Sequence, residues 1–455
     1  MEFARLKKKI RDRLYCYLPQ RRYYGRDFQK AFAFLEESQH WSSEQLEANK
    51  LERLQALLRQ AQTQVPYYRE LFKKLGLDSR DITSLDDFAQ IPILSKGTLR
   101  GRLGELKADN FASYKPYRTQ TSGTTSRMTT LYRSRYHEAF RAAVVWRFYH
   151  QHGHKFGDRW VNIVCRNFDP DSPVCEFNRI ENCLLVNTYH IIRGSRQEIV
   201  DAIREFSPNL IWTHPSTLGI LAKYIVSRGL APIEVPLVAV YSEKLFPHVR
   251  RALEAAFPGR IIEYYANREN SFAAWGYADD HFYEVSEYCH LEVANRAADD
   301  ATGDLITTSL HNYAVPLIRY DPGDVVKWHG YADQQQPYPV VELLGGRGKD
   351  VLVTRDGLTV PYFLAYIDAK DFNKLEKFQI EQLNIDEIIL RVVPKANYNR
   401  EQDEPLLLEY AAKSIAEKLK VHLEYVDDIP LTETGKYRSV ISKLALEYFD
   451  RKVKS

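Results

Sequence analysis

Between Trp160 and Val341, short runs rich in β-branched and aromatic residues alternate with helical patterns, and that alternation admits few architectures. "WVNIVC", "LIWTH", "LVAVY" and "IIEYY" have the length and composition of strands. Ser216 to Arg228 and Lys244 to Phe257 carry apolar residues at helical spacing, and in the second of these Leu245, Val249, Leu253 and Ala256 mark one face. The pattern predicts βα units around a largely buried sheet.

The pattern changes on both sides of that stretch. From about Phe28 to Leu75 the chain reads as helices, with Leu46, Leu51, Leu54, Leu57 and Leu58 on the apolar side. After "LLGGRGKD" come "FQIEQL", "EIILRVV", a helix from about Glu404 to Leu419 striped by Leu408, Ala411, Ala412, Ile415 and Leu419, and "HLEYVDDI". These describe a small α+β unit. Gly345 and Gly346 permit the backbone change that a hinge requires. The expected division is a helical extension over 1–85, a large α/β core over 86–344 and a small lid over 345–455. No internal repeat is evident.

Composition bounds the function. Lys and Arg number 63 against 60 Asp and Glu, so no global field argues for a nucleic-acid partner. Cys16, Cys165, Cys175, Cys183 and Cys289 form no C-x-x-C pair, which argues against a zinc knuckle and a disulfide framework and for a reducing cytoplasm. No apolar run approaches the ~18 residues of a membrane span, and "MEFARLKKKIRDRLYCYLP" lacks the apolar core of a signal peptide. That start is amphipathic, with Lys7, Lys8, Lys9, Arg11 and Arg13 beside Leu6, Ile10, Leu14 and Tyr17. It suits either peripheral contact with an anionic membrane or packing as an ordinary terminal helix.

"TQTSGTTSRMTT", from Thr119 to Thr130, sets small hydroxyl residues around one glycine. Backbone N–H groups about a glycine make a concave anion site, and hydroxyls add donors that follow phosphate oxygens. A plain polar turn has the same composition, and the Lys-[ST] ending of a Walker loop is missing. Four further motifs, in fixed order along the chain, give the loop its weight: "YYANRE" (Tyr264 to Glu269), "IRYDPGD" (Ile318 to Asp324), "GGRGKD" (Gly345 to Asp350) and "PLTETGK" (Pro430 to Lys436).

With these motifs in this order the sequence resembles the adenylate-forming superfamily, within it the branch of phenylacetate-coenzyme A ligase and the CapK-type proteins of capsule biosynthesis. "VPYYRELFKKLGL", "IPILSKGTLR" and "PNLIWTHPSTLGILAKYI" extend the likeness over nearly the whole chain. The resemblance implies that Thr121, Ser122, Gly123, Thr124 and Thr125 hold the β and γ phosphates of ATP. It gives Glu269 the Mg²⁺, a hard ion that takes oxygen ligands. It gives Asp324 the two ribose hydroxyls. It adds Ser242, Glu243, Tyr264, Tyr265, Ala266, Asn267 and Arg268 to the nucleotide pocket, and sets Arg347 beside the nucleotide and Lys349 at the hinge. Lys436 falls on the lysine that acts on the carboxylate and the α-phosphate, where a flexible ammonium suits a moving charge.

The implied reaction is carboxylate plus ATP giving acyl-AMP and pyrophosphate, then acyl transfer. Coenzyme A, a carrier-protein thiol, and an amine or hydroxyl acceptor all fit, and a homodimer is compatible. The alternative is a catalytically silent nucleotide-binding or scaffold protein of a polysaccharide or natural-product assembly system. Ser126 and Met128 replace the family's Gly and Pro, Ala266 its Gly, and Arg268 its Thr or Ser, so the pocket's detailed shape departs from the pattern. His150, His152 and His154 form H-x-H-x-H in what reads as an exposed loop, with metal ligation the minor reading. The 30 tyrosines suit either a cleft for a flat substrate or core edges with hydroxyls in water.

Overall fold

The computed structural model describes residues 24–120, 130–164, 172–242, 245, 247–277, 281–294, 301–331, 338–345, 352–355, 359–360, 374–415, 418–429, 440–442 and 444. Three helices come first: Gly25–Ser38, Ser43–Gln64 and Pro66–Leu75. Ser42 decides where the second begins, because its hydroxyl accepts the Gln45 N–H while the Gln45 side chain accepts the Ser42 N–H. Two donors that a helix start would leave unpaired are thereby satisfied. Pro66 opens the third helix, where its missing N–H costs nothing, and Gly76 at φ 66° closes it in the left-handed region.

The strands, in chain order, are β1 (Tyr117–Gln120), β2 (Thr130–Arg133), β3 (Trp160–Val164), β4 (Cys175–Asn178), β5 (Cys183–Asn187), β6 (Leu210–Thr213) and β7 (Leu237–Tyr241). There follow β8 (Arg260–Ala266), β9 (Ala273–Gly276), β10 (His281–Glu284), β11 (Cys289–Ala294), β12 (Thr302–Ser309), β13 (Val325–Tyr331) and β14 (Pro339–Gly345). The last are β15 (Leu352–Val353), β16 (Thr359–Val360), β17 (Leu375–Gln382), β18 (Glu387–Pro394), β19 (Lys420–Tyr425) and β20 (Val440–Ser442). The fold is mixed α/β, as expected.

The chain divides into two compact units, one of residues 1–121, 130–157 and 262–346, the other of 122–129, 158–261 and 347–455. In the first, strands lie side by side in the order β11-β12-β13-β14-β10-β9-β8, each neighbouring pair antiparallel. β1 and β2 form a separate antiparallel pair. The N-terminal helices belong to this unit, and Leu54, Leu57 and Phe72 share one core with Phe88, Leu99 and Tyr320. Leu46, Leu54, Leu57 and Leu58 are buried as predicted, but the inward position after Leu46 falls to Lys50 and not to Leu51. Four residues past Leu46 is the position one turn on, so the stripe runs 46, 50, 54, 58.

Burying Lys50 requires a partner, because an unpaired ammonium out of water is costly. Its Nζ donates to Glu284 Oε1 on β10, with both side chains excluded from solvent. Glu284 also accepts the Leu291 N–H at 2.7 Å and the Ser286 hydroxyl at 2.7 Å. Three residues on, Glu287 repeats the arrangement. Its Oε1 accepts from Arg147 Nη1 at 3.0 Å, Ser38 Oγ at 2.7 Å and Tyr338 OH at 3.2 Å.

Arg147 lies on the helix Arg135–Gln151, which Ser134 caps through the His137 N–H. The H-x-H-x-H run is no exposed loop: His150 is on this helix, His152 caps it and returns Nδ1 to Phe148 O at 2.9 Å, and His154 is buried against Trp146. An aromatic surrounding of Phe32, Trp146 and Phe156 draws these rings inward.

In the second unit β7-β6-β3-β5-β4 run in that order, with β3, β5, β6 and β7 parallel and β4 antiparallel to β5. Helices Arg196–Phe206, Pro215–Ser227 and Pro247–Ala256 bury Ile203, Leu221 and Leu253 with Val161, Ile211 and Val238 of the strands. This is why "LVAVY" is apolar throughout: both its faces lack water. The face of Leu245, Val249, Leu253 and Ala256 is buried as predicted.

Beyond 347, β19-β18-β17-β20 form a sheet, antiparallel at β17/β18 and parallel at the other two pairings. The helix Arg400–Ser414 covers it with Leu407, Ala411 and Ile415. Leu407 replaces Leu408 of the predicted stripe, since 407, 411 and 415 are each one turn apart. Gln382, buried, accepts the Val353 N–H at 3.0 Å and the Ser442 hydroxyl at 2.8 Å, tying β15 and β20 to β17.

Two outcomes are expected. Lys50→Met keeps the side chain's length but leaves Glu284 buried without its cation, and should cost about 3–5 kcal/mol in a urea unfolding curve. A loss below about 1 kcal/mol would show that the charge pair is not what holds these helices. The second concerns acid. Burial pushes His137 and His311 down to about 3, so below the ordinary imidazole value of about 6.5 the unfolded chain takes up protons that the folded chain refuses. Stability should therefore fall as pH drops from about 6.5 toward 3, and His137→Gln should flatten the dependence of Tm on pH over that window.

Candidate active site

The motif Tyr264 to Glu269 begins at the end of β8 and turns toward β9. Tyr264 packs on Trp275 with ring centres 4.5 Å apart. Ala266 pairs with Ala273 in the antiparallel ladder, and in extended backbone its methyl group costs nothing. An alanine where the resembled motif has glycine is thus absorbed at the end of a strand.

Asn267 then makes the turn. Its Oδ1 accepts the Ser271 N–H at 3.0 Å and its Nδ2 donates to Ser271 Oγ at 2.7 Å. Arg268 is exposed, and its carbonyl accepts from Arg133 Nη2. Asn270 has φ 54°, a left-handed conformation that asparagine tolerates. Its Nδ2 donates to Glu138 Oε2 at 3.1 Å, and its carbonyl accepts from Tyr288 OH at 3.1 Å.

Between these anchored residues Glu269 points inward, with 5 % of its surface exposed. One oxygen, Oε1, accepts the Tyr320 hydroxyl at 2.8 Å. The other, Oε2, is buried without a hydrogen-bond partner among the described residues. Among those residues the carboxylate is the only charged group lining a small pocket that it shares with Leu99, Leu131, Tyr132, Asn312 and Leu317. A buried carboxylate oxygen without a partner is costly unless a cation or a donor meets it. A hard divalent ion with oxygen preference satisfies that oxygen, so Glu269 is chemically suited to Mg²⁺.

The motif Ile318 to Asp324 lies between β12 and β13. Asp321 accepts the Gly323 N–H at 2.6 Å, and Gly323 has φ 79°, so "DPGD" is a turn in geometry as well as in composition. Lys96 Nζ donates to Pro322 O at 2.5 Å. Asp324 is partly exposed and accepts the Tyr265 hydroxyl on Oδ2 at 2.9 Å.

The two motifs are therefore joined twice, in opposite senses. Tyr265 of the first donates to Asp324 of the second, and Tyr320 of the second donates to Glu269 of the first. Burial, and then the charge of Glu269, push the Tyr320 hydroxyl well above its ordinary value, which keeps it protonated and a donor. A hydroxyl chain supports the crossing: Ser271 and Thr307 are 2.7 Å apart, and Thr307 Oγ1 donates to Tyr320 O at 3.1 Å.

Around this centre are residues that the sequence alone does not single out. Burial alone would raise the Glu138 carboxyl, but Arg141 and Arg133 outweigh it and hold Glu138 down at about 2. As an anion it fixes Asn270. His137 Nε2 lies 2.8 Å from Tyr288 OH and 3.0 Å from Ser309 Oγ, so a neutral imidazole braces the tyrosine that holds the Asn270 carbonyl. Tyr320 sits inside the motif of Asp324, and that placement is a usable signal. Arg133, Glu138 and His137 carry none.

Of the residues expected from the sequence, Tyr264, Tyr265, Ala266, Asn267, Arg268, Glu269 and Asp324 are in the first unit. Ser242 follows β7 in the second, exposed and at φ 69°. Thr121, Ser122, Gly123, Thr124, Thr125, Glu243, Arg347, Lys349 and Lys436 lie outside the described residues. The flanks of the hydroxyl-rich loop are described, and they pair as β1 and β2 with Gln120 opposite Thr130.

Comparison with known proteins supports the same grouping. Residues 352–443 match the CapK C-terminal domain. The chain is 23% identical to Protein CapK of Staphylococcus aureus over 401 residues, covering 83% of this chain and 85% of that protein. It is 26% identical to phenylacetate-coenzyme A ligase of Pseudomonas putida over 344 residues, covering 71% and 75%. With the same enzyme of Aromatoleum evansii it shares 24% over 444 residues, covering 90% and 97%. Among solved structures, 2-hydroxyisobutyryl-CoA ligase, in complex with 2-HIB-AMP and CoA in the thioesterification state, superposes with a TM-score of 0.60 at 19% identity over 91% of this chain and 93% of that one. At that identity the superposition speaks for the fold. Over most of its length the chain is thus similar to Protein CapK and to phenylacetate-coenzyme A ligases, and its C-terminal part matches the CapK C-terminal domain.

Proposed function

We propose that the protein activates a carboxylic acid with ATP and then hands the acyl group to coenzyme A or another nucleophile. In the first step a carboxylate oxygen attacks the α-phosphorus, the bond to the bridging oxygen breaks, and pyrophosphate leaves with the electron pair. In the second the acceptor attacks the acyl carbon and AMP leaves. The reading rests above all on the crossed tyrosine–carboxylate bonds, Tyr265 to Asp324 and Tyr320 to Glu269, which hold two acids in fixed orientation. Simple burial of a turn would not call for them.

Each residue's part follows from its chemistry. Asp324, steadied on one oxygen by Tyr265, has the lone pairs to accept two ribose hydroxyls. Glu269 would hold Mg²⁺ through Oε2 while Tyr320 fixes Oε1. Bound there, Mg²⁺ supplies positive charge against the phosphate oxygens on which charge accumulates. Thr121 to Thr125 would cradle the outer phosphates and Arg347 would accompany the nucleotide. Lys436 would offset charge between the carboxylate and the α-phosphate, and Lys349 would serve as the pivot of the C-terminal part. The two relatives named phenylacetate-coenzyme A ligase and the ligase structure holding an acyl-AMP and CoA support the class of reaction. They do not name this chain's acid.

The test is incubation with ATP, Mg²⁺ and a panel of carboxylic acids, reading pyrophosphate. ATP binding without pyrophosphate from any acid would favour a silent nucleotide-binding protein of an assembly system instead. Glu269→Gln should lower the rate at limiting Mg²⁺ and recover in part as Mg²⁺ is raised, and Tyr320→Phe should shift the Mg²⁺ requirement in the same direction by a smaller amount. A Glu269→Gln variant that matches the wild type at limiting Mg²⁺ removes the assignment. Lys436→Ala should slow pyrophosphate exchange by at least ~10²–10³ while leaving consumption of synthetic acyl-AMP largely intact. Exchange at the wild-type rate would end the adenylation mechanism as proposed.

A further inference from the structure

Away from the motif carboxylates, one group among the described residues gathers three metal-ligating side chains. His281 begins β10, His329 is in β13 and Glu342 in β14, and one ligand atom from each lies within 4.8 Å of the others. The strands are neighbours in the order β13-β14-β10, so the group bridges all three. His281 and Glu342 are direct register partners, which sets their side chains on the same face of the sheet. His329 arrives through an irregularity. The register of β13 shifts between Trp328 and Gly330, and Gly330 has φ 77°, so His329 is the extra residue of a bulge. Bulges re-aim side chains. Here His329 Nε2 comes to 2.8 Å from Glu342 Oε2, and its ring centre lies 4.5 Å from that of His281 at an interplanar angle of 71°.

We propose that His281, His329 and Glu342 bind one divalent transition-metal ion of the zinc type, clamping β10, β13 and β14 together, with water in the remaining positions. Two imidazoles and a carboxylate are a donor set that zinc, cobalt and nickel accept and that Mg²⁺, which demands oxygen, does not. Bonds of about 2.0–2.2 Å in a tetrahedral arrangement place ligand atoms roughly 3.3 Å apart. The 2.8 Å contact must open slightly and the widest separation, at most 4.8 Å, must close, both within reach of side-chain rotation. His329 and Glu342 keep 32% and 29% of their side-chain surface exposed, so an ion can enter from solvent. Lys327 is the register partner of Glu342 on β13, and its positive charge opposes the ion. This site is separate in residues from the one proposed for Mg²⁺ at Glu269.

The full chain, treated with EDTA and desalted, is titrated with ZnCl₂ against a chromophoric zinc indicator in millimolar Mg²⁺, and with CoCl₂ to record the visible bands that distinguish low-coordinate cobalt. One equivalent should bind, undisplaced by Mg²⁺, and Zn²⁺ should raise Tm. His281→Ala and His329→Ala should each weaken binding at least ~10-fold and abolish the Tm shift. Glu342→Gln, which keeps both imidazoles, should weaken it less, and Lys327→Gln should strengthen it. All four positions are on the sheet surface, and a matching Tm of the metal-free variants verifies their folding. Zinc affinity unchanged in His281→Ala and His329→Ala, or a wild type that binds no tighter than a variant carrying both substitutions, overturns the proposal.

Discussion

Two carboxylates, Glu284 and Glu287, are withdrawn from water within one short segment at the end of β10, and the first unit is arranged around that fact. Burying either carboxylate without a cation would be costly. The compensating cations come from two different helices, Lys50 from Ser43–Gln64 and Arg147 from Arg135–Gln151, so both helices must dock for the sheet to close. The N-terminal helices are in this sense a part of the core and not an appendage to it. The next residue, Tyr288, passes the constraint onward, because its hydroxyl bonds Asn270 O and meets His137. Asn270 is adjacent to Glu269. A structural charge pair and a candidate catalytic acid are thus linked through a few covalent and hydrogen bonds.

At the candidate site itself, tyrosine serves as a neutral donor that can be buried. A lysine beside Glu269 would neutralise the carboxylate and remove its capacity for a metal ion, whereas Tyr320 orients one oxygen and leaves the charge in place. The same holds for Tyr265 and Asp324. Each acid is oriented on one oxygen by a neutral donor, the kind of preorganisation that a catalytic acid uses.

The chain also contains two carboxylates whose surroundings differ in kind. Glu269 has an oxygen with no hydrogen-bond partner among the described residues, in a small pocket whose described lining holds no imidazole, an environment suited to a hard ion. Glu342 stands with two imidazoles on a sheet face open to water, an environment for a borderline one. Neighbouring atoms, and not residue type, separate the two.

The sequence by itself determined what depends on near neighbours. Periodicity over a few residues marked "LIWTH" and "LVAVY" as strands and the face of Leu245, Val249, Leu253 and Ala256 as buried, and the order of short motifs singled out Glu269 and Asp324. Tertiary structure decided what depends on residues far along the chain. Only strand order and helix docking place Lys50 against Glu284, 234 residues away, and so turn a lysine inward where a leucine was expected. Tyr265 and Asp324 are 59 residues apart, Tyr320 and Glu269 51, and no local spacing announces either bond. The histidines divide in the same way. The conspicuous run at His150, His152 and His154 spends its rings on aromatic packing and helix termination, while His281, His329 and Glu342, inconspicuous in sequence, are brought together by three adjacent strands. A helix or strand is encoded within the reach of a few side chains, but a site is made where the backbone returns to itself, and the position of that return is set by the packing of the whole core.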